Sequence, residues 1–255
     1  MGVSMETAKE WVERWELQQQ RYAVDREERF IVIADVVEHV TAGRTRPLIL
    51  DLGCGPGSLA ARLAGRMPDA EIVAVDMDPL LLELGRTHHA RAARYVDAVI
   101  GEDGWIDALE LDRPLDAVVS TTALHYLPEP RLLETYGSLA SLLRPGGALV
   151  NGDHFPQETP RCSELTAHVG RRWAVRAGSH VHEDWQSWWR RAAEDPELAD
   201  LFTQREQRLA TRGGGSAGEH LTAARHAQLL RQAGYHQVSS VWQFGDSRVL
   251  VAVKD

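Results

Sequence analysis

Two amino acids are scarce in this chain of 255 residues. Cysteine occurs only at Cys54 and Cys162, and lysine only at Lys9 and Lys254. Two cysteines, one of them inside a glycine-rich turn, make no disulfide framework, so a reducing compartment, the cytoplasm, is expected. Lysine scarcity beside abundant arginine fits a GC-rich genome and carries no mechanism. A run of about 18 apolar residues is also missing, which excludes a membrane-spanning helix. The opening residues, MGVSMETAKEWVERW, are charged and amphipathic, without the apolar core of a signal peptide. Positive charge is in deficit, at a formal net −9. Nucleic-acid binding normally shows a basic surface, so no such partner is expected. The eleven histidines show no H-x-x-x-H or Cys/His ligand spacing, and no metal is expected.

What is present is an α/β pattern. Residues 5–42 read as helix, with Asp25 predicted to cap a second helix over Arg26–His39. Strands are predicted at Leu48–Leu52, Glu71–Val75, Tyr95–Ile100, Leu115–Ser120 and from Ala148. Helices over Ser58–Arg66, Pro79–Ala93 and Pro130–Leu143 alternate with them. Such alternation predicts a parallel sheet covered on both faces. The pattern then breaks. Residues 155–212 offer three helices, Glu158–Ala177, Glu183–Ala193 and Pro196–Arg212, followed by a flexible loop at Gly213–Gly218. A helix at Leu221–Ala233 leads to two strands, Gln237–Phe244 and Arg248–Val253, joined by a hairpin turn. About 80 residues separate Ala148 from the next strand where a plain crossover needs a dozen or so. The expected organisation is an N-terminal helical lid (1–44), a core (45–154 and 219–255) and an inserted helical cap (155–218).

The stretch LILDLGCGPGSLA runs from an apolar strand through Gly53, Gly55 and Gly57 into a helix. Glycines there let the backbone turn sharply and let a ligand approach. Open α/β sheets bind ligands at this end of their strands. About 20 residues on, VAVDMDP places Asp76 where an acidic residue takes the ribose hydroxyls of an adenosine cofactor. Gly55–Ala60 also matches G-x-G-x-x-A, so a nicotinamide or flavin reading is formally open. Against it, Asp51 just before the glycines repels a pyrophosphate but welcomes an ammonium group. Pro56 stiffens the loop, and the terminal hairpin puts an antiparallel strand in the sheet.

Four stretches, LDLGCGPGSLA, VAVDMDP, LDAVVSTTALHYLP and LLRPGGALVN, fall in the order and near the spacing of a known family. On them the chain resembles the class I S-adenosylmethionine (SAM)-dependent methyltransferases, and most of all small-molecule enzymes of the trans-aconitate methyltransferase type. The resemblance covers roughly residues 45–155, with the terminal hairpin added. It implies a Rossmann-like, doubly wound seven-stranded sheet in the order 3-2-1-4-5-7-6, strand 7 antiparallel, and SAM as cofactor. It implies that Gly53, Gly55 and Gly57 approach the methionine tail and ribose, that Asp51 lies near the ammonium, that Asp76 takes the ribose and that Met77 covers the adenine. The family's adenine-binding aspartate after strand 3 is replaced here by Val99-Ile100. Asp103 or the Ile100 backbone is the substitute expected.

Residues 120–126, with Thr121 toward the cofactor, are expected over the reacting methyl. His125 is the first candidate base, by position and by a side chain that titrates near neutrality, and His154 at the end of strand 5 the second. Tyr22, Tyr126 and Asp153 are candidate substrate contacts. Trp185, Trp188 and Trp189, at i, i+3 and i+4, form either a wall over the pocket or core packing. Arg171, Arg172, Arg176, Arg190 and Arg191 suit an anionic substrate or are solvated helix charges. The reading is methyl transfer by direct displacement to a small molecule of specialised metabolism. Its rivals are an enzyme of this fold using SAM without methyl transfer, such as a cyclase or isomerase, and a non-catalytic SAM-binding subunit.

Overall fold

The computed structural model describes residues 2–23, 25–211 and 220–255. Two helices come first, α1 (Met5–Tyr22) and α2 (Arg26–Val40). The core follows as β1 (Leu48–Leu52), α3 (Ser58–Arg66), β2 (Glu71–Asp76), α4 (Pro79–His88), β3 (Arg94–Asp97), β4 (Leu115–Thr121), α5 (Glu129–Leu142) and β5 (Leu143–His154). Three helices, α6 (Pro160–Arg176), α7 (Trp185–Glu194) and α8 (Ala199–Thr211), precede α9 (Ala223–Gln232), β6 (Gln237–Phe244) and β7 (Ser247–Val253). The predicted Gly213–Gly218 loop lies outside the described residues. No helix among them is long and apolar enough to cross a membrane.

The seven strands form one sheet in the order β3-β2-β1-β4-β5-β7-β6, with β7 antiparallel to both neighbours. This is the order the resemblance implied. Strands buried on both faces need apolar side chains on both. Leu48, Leu50 and Leu52 enter one core with Tyr136 and Leu139 of α5 and Leu229 of α9. Ile49, Val119 and Val150 enter the other with Phe30, Ile33 and Val37 of α2 and Leu59 of α3. Local signals set the helix starts. Asp78 caps α4 through the Leu80 and Leu81 amides, with Pro79 in the first turn, and Thr222 caps α9.

One cap and several boundaries differ from the sequence reading. Asp25 stands at the start of α2 but makes no side-chain cap. α4 ends at His88, five residues early. β3 ends at Asp97 rather than Ile100. β5 starts at Leu143, through the Pro-Gly-Gly expected to turn, because Gly146 N–H donates to Lys254 O and Lys254 N–H to Gly147 O, extending the ladder.

A third cluster joins the inserted helices to the N-terminal one. Trp11, Val12 and Trp15 of α1 pack with Leu80 and Leu84 of α4 and with Trp188 and Trp189 of α7. Helix α7 therefore rests on α1 and α4, whereas α6 packs on the β6–β7 hairpin, with Trp173 against Phe244.

Candidate active site

The glycine loop is folded onto the end of β2. Gly53 and Cys54 N–H groups donate to Val75 O at 2.8 and 3.0 Å, and Gly55 N–H donates to Asp76 Oδ2 at 2.8 Å. Asp76 Oδ1 accepts from Asp78 N–H at 2.9 Å. Each Asp76 oxygen thus keeps lone-pair capacity for a hydroxyl. Burial raises its pKa to about 6 against those backbone bonds. Gly53 has φ 67°, and a Cβ there would lie 2.3 Å from the Ala123 methyl. Gly57 has φ 82°, and its Cβ would meet the Tyr95 hydroxyl at 2.2 Å. At these two positions glycine is required by the protein's own packing as well as by the left-handed backbone.

Asp51 is fully buried, and neither carboxylate oxygen has a hydrogen-bond partner of ordinary geometry among the described residues. Burial raises its pKa to about 7, with the Ala60 backbone N–H opposing and the Asp76 charge adding. A buried carboxylate without a partner is costly, and an ammonium group supplies what it lacks. The loop therefore fits a ligand carrying vicinal hydroxyls at one end and an ammonium at the other, as SAM does.

At the expected adenine side two carboxylates differ in setting. Asp103 is exposed, on a turn that faces α5 across a cavity of about 380 Å³. The carboxylate set beside Met77 is instead Asp97, because β3 ends three residues sooner than expected. Arg208 of α8 binds both, donating to the Met77 carbonyl and to the Asp97 carboxylate, with Nη2 to Oδ2 at 3.0 Å. Arg205, one turn earlier, donates to Asp78 Oδ2 at 2.7 Å and lies 3.6 Å over the Trp189 ring. Ile100 is half-buried against the first core.

The segment after β4 carries Thr121, which is half-buried with its hydroxyl 3.3 Å from that of Thr122. Thr122 has φ 54°, unusual for a β-branched residue, and its N–H donates to Gly152 O at 3.0 Å. A short 3₁₀ turn, Leu124–Tyr126, then points His125 at β5. His125 Nδ1 lies 2.9 and 3.0 Å from the two Asp153 oxygens. Asp153 is buried. Burial alone raises its carboxyl pKa. The hydrogen bond and charge of His125, the charge of Arg29 and the His154 backbone N–H outweigh it and hold the pKa below the ordinary value. An ionised carboxylate only accepts, so Nδ1 carries the proton and Nε2 is left as an acceptor.

Asp153, a candidate substrate contact, thus holds His125 Nδ1 through both carboxylate oxygens. His154 points to the other face of the sheet, its Nδ1 3.2 Å from Asp246 Oδ1, and takes no part in the pair. Tyr126 is exposed, its ring 4.2 Å from that of His125. The Tyr22 hydroxyl accepts from Trp185 N–H at 3.0 Å, tying α1 to the cap. Trp188 is fully buried and Trp189 nearly so, in edge contacts with Trp15 at 5.1 and 6.3 Å, and Trp185 is tilted against Trp15 at 5.5 Å. The tryptophan stripe is core packing between lid and cap. The five arginines considered for an anionic substrate are all exposed.

Sequence reasoning missed Arg29, Arg205, Arg208, Asp97 and Glu16. Glu16 of α1 accepts from the Ser58 hydroxyl beside the glycine loop and from Arg26 and Arg62. One signal existed. Arg26, Arg29, Phe30, Ile33 and Val37 make one buried stripe of α2, and two arginines stand in it.

A family described as a methyltransferase domain matches residues 49–147. With the fold and the glycine loop, residues 49–147 are thus similar to the domain of SAM-dependent methyltransferases, whose cofactor the loop fits. Among particular relatives, the trans-aconitate 2-methyltransferase of Methylobacterium radiotolerans is 35% identical over 51% of this chain and 47% of that protein. A ubiquinone biosynthesis O-methyltransferase of Xanthomonas campestris is 32% identical over 53% and 55%. The chain spans about half the length of these relatives. In fold, the magnesium protoporphyrin IX methyltransferase of Synechocystis with bound S-adenosylhomocysteine (SAH) aligns at a TM-score of 0.54, with 17% identity, over 96% of this chain and 94% of that one. Human N-acetylserotonin methyltransferase with SAM gives 0.54 and 16% identity over 94% and 56%.

Proposed function

We propose that the chain transfers the methyl group of SAM to a small organic molecule whose accepting atom, a hydroxyl above all, arrives protonated. The observation that carries this is the His125–Asp153 pair at the ends of β4 and β5. When bound, SAM supplies a methyl already activated on a sulfonium. An acceptor that is already an anion needs no base, and a buried His–Asp pair is then idle. His125 Nε2 would take the acceptor's proton as the methyl passes from sulfur to the acceptor oxygen, leaving SAH, and Asp153 would stabilise the resulting imidazolium. Asp51 and Asp76 hold the two ends of the cofactor, with Met77, Ile100 and Thr121 along it, and α1, α7 and α8 exclude water. The relatives' names, a trans-aconitate and a ubiquinone-biosynthesis methyltransferase, support a small acceptor.

The test is methyl transfer from labelled SAM to a panel of phenols, hydroxy acids and carboxylic acids. His125→Ala should lower turnover on a hydroxyl acceptor by about 10²–10⁴-fold and leave SAH affinity unchanged. Equal turnover by the variant would remove the base. Transfer to carboxylates alone would remove the hydroxyl assignment.

A further inference from the structure

Arg29 is among the largest fully buried side chains of the molecule, and it is charged. It reaches from α2 across Gly152, whose missing side chain makes room: a Cβ there would lie 3.0 Å from Arg29 Cδ and 2.9 Å from Ile33 Cδ1. Arg29 Nη2 donates to Thr122 Oγ1 at 3.2 Å and Nη1 to Ser247 Oγ at 3.4 Å. No carboxylate bonds it directly, and its Nε has no partner among the described residues. Such burial is costly for a cation unless opposite charge lies near. That charge is Asp153, with Asp246 behind it.

We propose that Arg29 is the positioning residue of the His125–Asp153 pair: it tethers the loop that carries His125 and shares the Asp153 charge with the imidazole. The tether ends on Thr122, three residues before His125, at a left-handed backbone that is costly for a threonine and needs holding. The charge acts through Asp153, which bears electrostatically on Arg29 and bonds His125. Other groups bear on the pair. From α9, His226 is kept neutral by burial, its pKa lowered to about 4, and bonds the Tyr136 hydroxyl of α5 at 2.7 Å. His220 lies 5.3 Å from the His125 ring, and Tyr126 is stacked beside it. From the β6–β7 turn Asp246 pairs with His154, and from α2 Arg26 pairs with Glu16. From β7, Arg248 lies opposite Asp153 in register and donates to Gln157 Oε1 at 2.6 Å. Arg29 is the cation that also bonds the segment carrying His125. Burial lowers its own pKa to about 10, so it stays charged at neutral pH.

The experiment follows the His125 ring by NMR during a pH titration of the whole chain with labelled histidine, assigned by the signal lost in His125→Gln. Removing the cation makes the imidazolium easier to form. In Arg29→Met the His125 midpoint should rise by about half to one pH unit. In Arg29→Lys, which keeps the charge, it should stay within about 0.2 units of the parent. A midpoint that is unmoved or falls in folded Arg29→Met overturns the proposal. Arg29→Gln gives the same readout if the methionine variant does not fold. Thr122→Ala keeps the charge and cuts the tether, so kcat should fall about tenfold with the midpoint unmoved. An unchanged kcat overturns the tether. Only this rate arm rests on the methyltransferase reading. A chain that fails to bind SAH yet shows the shift would sink that reading and keep the pair.

Discussion

The glycine loop and the cap hold their shape by different means. The loop is fixed by its own backbone, through N–H bonds to Val75 O and Asp76 in residues about 22 positions apart at most. It leaves one carboxylate, Asp51, unpartnered in the interior. The cap is fixed by side chains far apart in sequence. Trp11 Nε1 donates to Asp195 at 2.7 Å, Arg14 forks onto Glu183 at 2.9 and 3.2 Å, and five tryptophans interlock across α1 and α7. The difference separates a part that leaves a buried charge unpaired from a part held by packed rings and ion pairs. Damage to the first should show as lost binding in a stable protein. Damage to the second should show first as lost stability.

The largest effect is expected in the cap. Trp188→Ala empties a fully buried position and should cost about 3–5 kcal/mol, read as a lowered denaturation midpoint. A loss below about 1 kcal/mol would mean that α7 does not depend on the tryptophan cluster.

Next comes the joint between the two regions. At Glu16 burial acts to raise the carboxyl pKa, but Arg26, Arg62 and the Ser58 hydroxyl prevail and lower it to about 2, from 4.5. A depressed pKa gives stability that is full above about pH 4.5 and is lost as pH falls toward 2. Glu16→Gln should remove on the order of 3 kcal/mol at neutral pH and flatten acid unfolding between those values. An unchanged acid transition would contradict the joint.

In the loop, the ligand's ammonium should favour the Asp51 anion. Because the free carboxyl has its pKa raised to about 7, SAH affinity should strengthen as pH rises through that value, with proton release on binding below it. Asp51→Asn should weaken SAH by about 10–100-fold and abolish the pH dependence. Retained pH dependence would assign it to another group.

The smallest effects sharpen the boundary. Arg208→Ala should cost about 1 kcal/mol, since the Asp97 pair is half exposed. Asp103→Asn should change neither SAH affinity nor stability beyond about 0.5 kcal/mol. The reverse ranking would restore Asp103 to the adenine pocket.

The parts legible in the sequence are those whose determinants are local. The strand Leu48–Leu52, the glycines after it, Asp76 at the end of β2 and the terminal hairpin each follow from spacing within a few residues. The antiparallel β7 followed from the resemblance. His125 could be named as a base from its place after β4, but its partner could not. Asp153 is 28 residues away, and only the side-by-side register of β4 and β5 brings it to Nδ1. Arg29 is hidden for the same reason, since its contacts lie just after β4 and on β7. Asp97 was missed because the apolar Val99-Ile100 resembles a strand continuing past it, whereas the chain leaves the sheet there.

The most direct test of the account is calorimetric titration of the purified chain with SAH, with NAD in a parallel cell and Asp76→Ala as the comparison. The account predicts micromolar SAH binding, no NAD binding, and at least about a tenfold loss in the variant as the ribose contact and the Gly55 anchor go together. Absence of SAH binding by folded protein free of copurified ligand would contradict it, and binding of NAD instead would return the glycine loop to a dinucleotide.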